Sequence, residues 1–248
     1  MPWSFAGNRA LLIAHRGAAM EAPENTAAAI RLAFRQGAHL VELDVQLTRD
    51  RRLVIFHDDR LERTSTGRGR LAGWLYRDLR RLDVGSWFAS RFSGERPLLV
   101  SQALTMCPPA CGVNLELKAT SHAADLITRL IRCVRWTRMQ RRVLISSFDG
   151  DLLARLKAAA PRVPRALLCA RRPWQALRRA IELECVALHP HQTVTTPSLI
   201  QQAHGHGLRV HLWTVDAPGE VKRALQMGAD GLVTNVPRRL RGILPRHS

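Results

Sequence analysis

The chain alternates short apolar runs with longer stretches in which apolar residues recur every three or four positions. The short runs are rich in Leu, Val and Ile, which is the pattern of buried β-strands. The stretches between most of them have the apolar period of amphipathic helices. Eight strand-like runs occur, at residues 11–15, 40–45, 113–118, 143–148, 165–170, 185–190, 209–215 and 230–235.

Capping residues mark the ends of several helical stretches. In "NTAAAIRLAFRQG", Asn25 or Thr26 can cap the first turn, and Gly37 can end the helix. The segments "DGDLLARLKAAAP" and "APGEVKRALQMG" have the same arrangement. Each of these stretches predicts a helix that follows a strand.

This alternation of strand and helix predicts an α/β fold with a parallel sheet and right-handed crossovers. Eight strands favour a closed (β/α)8 TIM barrel, for which about 250 residues is typical. We therefore expect a single domain over residues 1–248. The alternative is an open, doubly wound sheet, which would carry a glycine-rich phosphate loop after a strand, and the sequence contains none.

One segment breaks the alternation. "VELDVQLTRDRRLVIFHDD" contains two strand-like runs joined by only about five residues, too few for a parallel crossover, so it predicts an antiparallel hairpin. A turn at Asp50–Arg51 would place His57 opposite Asp44. Residues 58–98 form no clear barrel unit, and we interpret them as a small insertion that caps the C-terminal mouth of the barrel.

Polar side chains collect at the C-terminal ends of the predicted strands, where the active sites of such barrels lie. Glu42 and Asp44 are two residues apart, so they share one face of a strand. Glu116 and Lys118 have the same spacing on a later strand. The complete set is His15, Arg16, Glu42, Asp44, His57, Glu116 and Lys118.

These residue types fit the cleavage of a phosphate ester. Clustered carboxylates repel one another unless a cation lies between them, and oxygen ligands favour Mg²⁺, Mn²⁺ or Ca²⁺ over zinc. The Arg16 guanidinium matches a phosphate, and two histidines can divide acid and base roles. Structural interpretations stay open: Glu42 and Asp44 can be salt-bridge partners, Glu116 can pair with Lys118, and either histidine can be a hydrogen-bonded structural residue.

Ten short blocks resemble, in order and along nearly the whole chain, the glycerophosphodiester phosphodiesterase family, most closely its cytosolic bacterial type. The blocks are "AHRG", "PENT", "VELDVQLTRD", "VIFHDD", "LERTSTGRG", "GSWF", "NLELK", "LISSF", "WTVD" and "DGLVTNVP". The resemblance implies a (β/α)8 barrel with one divalent cation, Mg²⁺ or Ca²⁺, with Mn²⁺ as a further candidate. It also implies hydrolysis of glycerophosphodiesters, such as glycerophosphocholine or glycerophosphoethanolamine, to sn-glycerol 3-phosphate and an alcohol, through a cyclic phosphate.

The same resemblance assigns roles to individual residues. Glu42, Asp44 and Glu116 would bind the metal, and His15 and His57 would be the catalytic acid and base. The substrate-binding residues would be Arg16, Lys118, Trp213, Trp87 and Phe88.

Two positions depart from the family pattern. Asp216 in "WTVD" stands where the family usually has Asn, and Asn235 in "TNVP" stands where it usually has Asp. The changes are opposite in charge, so they offset each other if the two residues are neighbours. His189 and His191 lie at another strand end, and we interpret them as structural, with recognition of the alcohol as the alternative.

Composition narrows the partners and the compartment. The net charge is +18, and only Lys118, Lys157 and Lys222 among the 38 basic residues are lysines. The arginines are scattered without an aromatic-interleaved stripe, so we expect a small-molecule substrate and no nucleic acid. Five cysteines, and apolar runs no longer than Ala10–Ala14, indicate a cytoplasmic protein without stable membrane association. A homodimer is left open.

Two other functions stay open at this point. A polyanion-binding module without catalysis would suit the net charge of +18. A lysophospholipase D-like relative would need an exposed apolar groove or a membrane-binding segment, and we find neither in the sequence.

Overall fold

The computed structural model describes residues 10–244, so the predicted domain limits of 1–248 extend beyond the described residues at both ends. Eight of the strands lie parallel and form a closed barrel, because β1 pairs both with β2 and with β9. The strands are β1 (Leu11–His15), β2 (Leu40–Leu47), β3 (Leu53–Ile55), β4 (Gly112–Leu117), β5 (Val143–Ser147), β6 (Arg165–Cys169), β7 (Ala187–Pro190), β8 (Arg209–Leu212) and β9 (Gly231–Thr234). The predicted (β/α)8 barrel is confirmed.

Helices lie between most of the strands, on the outside of the barrel. They are α1 (Ala27–Arg35), α2 (Tyr76–Leu79), α3 (Val100–Thr105), α4 (Ala123–Trp136), α5 (Gly150–Ala159), α6 (Pro173–Glu182), α7 (Pro197–Gly205), α8 (Pro218–Gln226) and α9 (Pro237–Arg241). Of these, α2 belongs to the insertion and α9 follows the last strand. At the start of α1 the Thr26 hydroxyl accepts the amide of Ala29, while Asn25 contacts Asp44 instead. Across residues 10–244, no helix combines the length and the apolar composition that crossing a membrane requires.

The barrel lumen changes from apolar to polar along the strands. Residues that point outward, such as Leu43 and Leu115, pack against the helices in the main core. Ile13, Leu40 and Leu144 belong to a second cluster that fills the lumen. The next inward-facing positions are polar, because side chains alternate along a strand and the lumen cluster is followed two residues later by His15, Glu42, Ser146 and His189.

The segment after β2 is an antiparallel hairpin, as the short connection predicts. Its turn is centred on Asp50, since the Thr48 amide donates to the Arg52 carbonyl. The expected position of His57 opposite Asp44 is therefore wrong by one residue. Phe56 takes that place, and its amide donates to the Asp44 carbonyl at 3.0 Å.

Residues 58–98 contain α2 and two 3-10 turns, Leu71–Gly73 and Ser90–Phe92. They have a small apolar core of their own, formed with two residues of the hairpin: Val54, Phe56, Leu61, Leu71, Leu79 and Val84. The Glu95 carboxylate accepts the amide of Ala28 at 3.3 Å, in the first turn of α1. Because α1 begins at the C-terminal end of β1, this contact holds the insertion beside the barrel mouth.

Candidate active site

A cavity of about 340 Å³ opens at the C-terminal end of the barrel. Trp87 and Phe88 are not among the residues that line it in the described part of the chain, so their role stays a prediction. Asp44 lies buried beside the lining residues and contacts Lys118. The lining includes His15, Arg16, Glu42, His57, Asn114, Glu116, Lys118, Phe148, Leu168, His189 and Trp213.

The chain turns sharply after β1 and so delivers two neighbouring residues to the site. Arg16 and Gly17 both have positive φ, 54° and 88°. A side chain on Gly17 would place its Cβ 2.6 Å from the Cβ of Ala29, so the close approach of α1 requires glycine here. The Arg16 amide donates to the Glu42 carboxylate at 3.0 Å, and this contact ties the turn to β2.

Three buried carboxylates form the acidic centre of the site. Glu42, Asp44 and Glu116 each place one oxygen within 4.8 Å of the others. Burial, followed by repulsion from the other two, raises the pKa of Glu42 well above its usual range. Burial acts in the same direction on Asp44, but Lys118 and Arg16 outweigh it and lower the pKa of that carboxyl. Within residues 10–244, Glu42 Oε1 has no hydrogen-bond partner.

Two cations lie against these carboxylates. Lys118 Nζ is 2.7 Å from Asp44 Oδ1 and also contacts Glu116. Arg16 Nε lies 3.3 Å from Asp44 Oδ2. The pairing of Glu116 with Lys118 that the spacing allows is present, but Lys118 also joins two different strands through Asp44.

A chain of ion pairs and hydrogen bonds connects Arg16 with His57 across the mouth. Glu24 accepts Arg16 Nη1 at 2.9 Å and Arg63 Nη2 at 2.7 Å. Arg63 also donates to Asp58 at 2.5 Å, and Asp58 lies 2.6 Å from His57 Nδ1. Burial opposes ionisation of Asp58, but Arg63 and His57 lower its pKa to about 2.

Sequence reasoning did not single out Glu24, Asp58 or Arg63. All three lie inside blocks that carry the family resemblance, "PENT", "VIFHDD" and "LERTSTGRG", and this was the available signal. A further missed residue, Gln46, holds the backbone on which His57 lies. Its amide donates to the carbonyls of residues 56, 57 and 58 at 2.8–3.1 Å.

His15 is held by the two residues that depart from the family pattern. His15 Nδ1 is 2.8 Å from Asn235 Oδ1, and Asn235 Nδ2 donates to Asp216 Oδ2 at 2.7 Å. Asp216 also accepts the Asn235 amide and the Thr234 hydroxyl, each at 2.8 Å. Asp216 and Asn235 are therefore neighbours, which is the condition under which their opposite changes of charge offset each other.

This contact pattern assigns the histidine tautomer. Asp216 only accepts hydrogen bonds, so the NH₂ of Asn235 faces Asp216 and its oxygen faces His15. His15 Nδ1 must then carry the hydrogen, which leaves the Nε2 lone pair for the cavity. Burial, and next the Arg16 guanidinium, lowers the pKa of His15, so the neutral ring prevails at neutral pH.

The opposite wall of the cavity is aromatic. His189 lines it, and burial lowers the pKa of this imidazole to about 3. His189 Nε2 lies 2.9 Å from His211 Nδ1, and the Trp213 indole donates to the His189 carbonyl at 2.7 Å. The Phe148 ring meets Trp213 edge-on, with 5.5 Å between centroids. His191 instead accepts the Thr193 amide at the start of a 3-10 turn, outside the cavity lining.

Comparison with known proteins agrees with this arrangement. The model of the glycerophosphoryl diester phosphodiesterase family matches residues 15–239. A glycerophosphodiester phosphodiesterase of Caldanaerobacter subterraneus subsp. tengcongensis is 35% identical over 237 residues, which cover 94% of this chain and 96% of the relative.

Solved structures give the same result. The structure of an Oleispira antarctica phosphodiesterase in complex with the product sn-glycerol-3-phosphate superposes with a TM-score of 0.91 at 30% identity, covering 97% of this chain and 98% of that one. A glycerophosphodiester phosphodiesterase of Agrobacterium tumefaciens gives a TM-score of 0.82 at 27% identity, covering 94% and 99%. The chain belongs to the glycerophosphoryl diester phosphodiesterase family.

Proposed function

We propose that this protein hydrolyses glycerophosphodiesters to sn-glycerol 3-phosphate and an alcohol. The observation that supports this most directly is the meeting of three buried carboxylates, two cations and two histidines at one cavity. The product found in the Oleispira antarctica relative agrees with it.

The carboxylate cluster fits a divalent cation. Its donors are all oxygens, they lie within 4.8 Å of one another, and Glu42 Oε1 has no hydrogen-bond partner in the described part of the chain. We infer that Glu42, Asp44 and Glu116 would hold Mg²⁺ or Ca²⁺, with Mn²⁺ as a further candidate. When bound, the cation would offset negative charge that builds on the phosphoryl oxygens.

Arg16 and Lys118 would bind the phosphate from the protein side. Their side chains are 18% and 20% exposed, so they can meet a ligand while still contacting Asp44. Charge-assisted hydrogen bonds from these two groups would orient the diester and stabilise its oxygens as charge develops. Glu24 fixes the Arg16 guanidinium for this task.

The two histidines have different partners, and this supports different roles. In the first step His15 Nε2 would take the proton from the glycerol 2-hydroxyl, whose oxygen then attacks phosphorus. His57 would protonate the departing alcohol oxygen, with the Asp58 carboxylate 2.6 Å from Nδ1 to hold the ring in place. In the second step water would open the cyclic phosphate, with the histidine roles reversed.

The activity is tested by glycerol 3-phosphate release from glycerophosphocholine, with and without a chelator. We expect release that stops when the chelator is added and returns with excess Mg²⁺ or Ca²⁺. Glycerophosphoethanolamine serves as a second substrate. Failure to release glycerol 3-phosphate from either diester at saturating metal would reject the proposed function.

The cyclic route has its own test. A tethered hydroxyl reaches effective molarities of about 10⁵–10⁸ M when it is well oriented, so the route depends on the substrate's own 2-hydroxyl. The 2-deoxy analogue of glycerophosphocholine should bind as an inhibitor but release no choline. A kcat comparable to that of glycerophosphocholine would show direct attack by water.

Neither alternative function explains the site as well. A polyanion-binding module gains nothing from three buried carboxylates within its basic mouth. A lysophospholipase D-like relative would release choline from lysophosphatidylcholine, and we expect no choline release from that lipid. We further propose that the reaction takes place in the cytoplasm, which agrees with five free cysteines. We also propose that the insertion 58–98 places Trp87 and Phe88 near the glycerol.

A further inference from the structure

A second depression, a surface groove of about 780 Å³, lies beside the catalytic cavity. The C-terminal half of β6, the residues that follow β5 and β6, and one side of α6 form it. Phe148 and Leu168 line both the groove and the cavity. Because two residues are shared, a diester whose phosphate lies in the cavity can extend over Phe148 into the groove.

Four arginines and three acidic residues line the groove, and three of the arginines contact none of the acidic residues. Arg171, Arg172 and Arg178 line it, and all three are exposed. Within residues 10–244 their side chains form neither a hydrogen bond nor an ion pair. A guanidinium group in a protein is always charged, so all three carry a positive charge.

The acidic residues of the groove already have partners. Arg179 Nη2 lies 3.2 Å from Asp151, and its Nη1 lies 3.0 Å from Glu182. The Asp149 carboxylate accepts the amides of Asp151 and Leu152 at the start of α5. Three arginines therefore remain available to an anion from outside the chain.

We propose that this groove receives the alcohol half of the substrate and selects alcohols that carry a phosphate group. The inference rests on the proposed function, since it takes the catalytic cavity as the place of the scissile phosphate. The half-exposed Phe148 ring offers an apolar surface to the carbon skeleton of the alcohol. The guanidinium groups match the oxygens of a second phosphate, whereas the quaternary ammonium of choline would be repelled.

Three diesters that differ in the charge of the alcohol test the proposal: glycerophosphoinositol 4-phosphate, glycerophosphoinositol and glycerophosphocholine. We expect kcat/KM for glycerol 3-phosphate release to fall in that order, by about tenfold between the first and the last, the scale of a few exposed ion pairs. The preference should shrink as NaCl rises from about 0.05 M to about 0.5 M, because salt screens exposed charges.

Two triple variants test whether the groove arginines cause the preference for the phosphate-bearing alcohol. The triple change Arg171→Gln, Arg172→Gln and Arg178→Gln should lower the ratio of kcat/KM for the inositol phosphate diester to that for the choline diester by about tenfold. A matched triple of exposed arginines outside the groove removes the same charge: Arg129→Gln, Arg132→Gln and Arg223→Gln. This control should keep the wild-type ratio.

Two results would overturn the proposal: equal kcat/KM for all three diesters, or the same change of ratio in the groove and control triples. If the wild type cleaves none of the diesters, the proposed function has failed, and calorimetry with inositol 1,4-bisphosphate then tests the groove directly. Binding that the groove triple weakens about tenfold and the control triple does not would support the groove even then. Equal binding by both triples, or no binding at all, would reject it.

Discussion

The hydrogen-bonded chain from Asp216 through Asn235 to His15 predicts that two single substitutions each lower the activity and that their combination restores it. The set compared is the wild type, Asp216→Asn, Asn235→Asp and the double variant. Asp216→Asn keeps the shape of the side chain but replaces one acceptor by an NH₂ group. In the wild type the NH₂ of Asn235 lies 2.7 Å from Asp216 Oδ2. In the variant an NH₂ group can stand in place of that oxygen, and the Asn235 amide is then free to turn over. Once the amide has turned over, its NH₂ donates to His15 Nδ1, and the imidazole hydrogen moves to Nε2. Nε2 can then no longer accept a proton from the substrate.

The size of the effect follows from the fraction of His15 in the wrong tautomer. In the serine protease triad, a wrong histidine tautomer lowers kcat by about 10⁴-fold. The amide of Asn235 can take both orientations in the variant, so we expect a loss between about 10² and 10⁴, or about 2.7 to 5.4 kcal/mol.

The reciprocal change has the opposite defect. Asn235→Asp gives His15 Nδ1 a carboxylate acceptor but sets two carboxylates within hydrogen-bond distance, which raises the pKa of the pair and destabilises the fold. Combining it with Asp216→Asn removes that repulsion and restores a donor between the two side chains. The double variant should therefore recover kcat to within about tenfold of wild type, although each single change is harmful.

Glycerol 3-phosphate release gives kcat, and ¹⁵N NMR of the imidazoles reports which nitrogen of His15 carries the hydrogen. Asp230→Asn is the matched control, since Asp230 accepts His204 Nε2 at 2.7 Å just before β9, at the opposite end of the barrel. It should leave kcat and the His15 signals unchanged. Wild-type kcat in Asp216→Asn, or a double variant no more active than that single one, would refute the reasoning.

Three further outcomes follow from the same site. His15→Ala and His57→Ala should each lower kcat by roughly 10²–10⁴-fold while circular dichroism stays native, and a near-normal kcat would make that histidine structural. Glu116→Gln should weaken Mg²⁺ binding in calorimetry and lower kcat by about 10²-fold, and full activity of this variant in chelator would contradict a metal role. Burial lowers the pKa of His189 to about 3 and that of His211 in the same direction, so both are neutral in the folded protein. Their unfolded forms bind protons below about pH 6.5, so the stability they confer is complete above that pH and is lost as pH falls, by about 2 kcal/mol at pH 5 for His189. Urea unfolding at pH 7 and pH 5 measures this, and His189→Gln with the full wild-type pH dependence would speak against it.

The barrel and the acidic centre could be predicted because both depend on short-range rules. Apolar runs at regular spacing determine the strands, and parallel strands bring their C-terminal ends to one mouth. Glu42 and Asp44 share a face because side chains alternate, whatever the details of packing. Glu116 joins them because β4 pairs with β2 and places Glu116 beside Asp44.

The contacts made by loops could not be predicted in this way. Arg63 meets Glu24 although 39 positions separate them, and neither lies in a strand. No periodicity in the sequence relates two such loops, since their meeting depends on how the insertion packs against the mouth. The one-residue error at His57 has a similar origin, because a single extra residue in a turn shifts the whole register.

The effect of the exchange at positions 216 and 235 depends on which of the two residues contacts His15. The sequence shows one carboxylate and one amide with the usual family order reversed, and that alone leaves the charge of the site unchanged. In the structure the amide contacts His15 and the carboxylate lies one step further away. His15 therefore faces a neutral acceptor, while His57 faces the Asp58 carboxylate at 2.6 Å. This difference in partners accompanies the separate base and acid roles proposed for the two histidines. The double variant removes the difference, because both histidines then face a carboxylate at Nδ1.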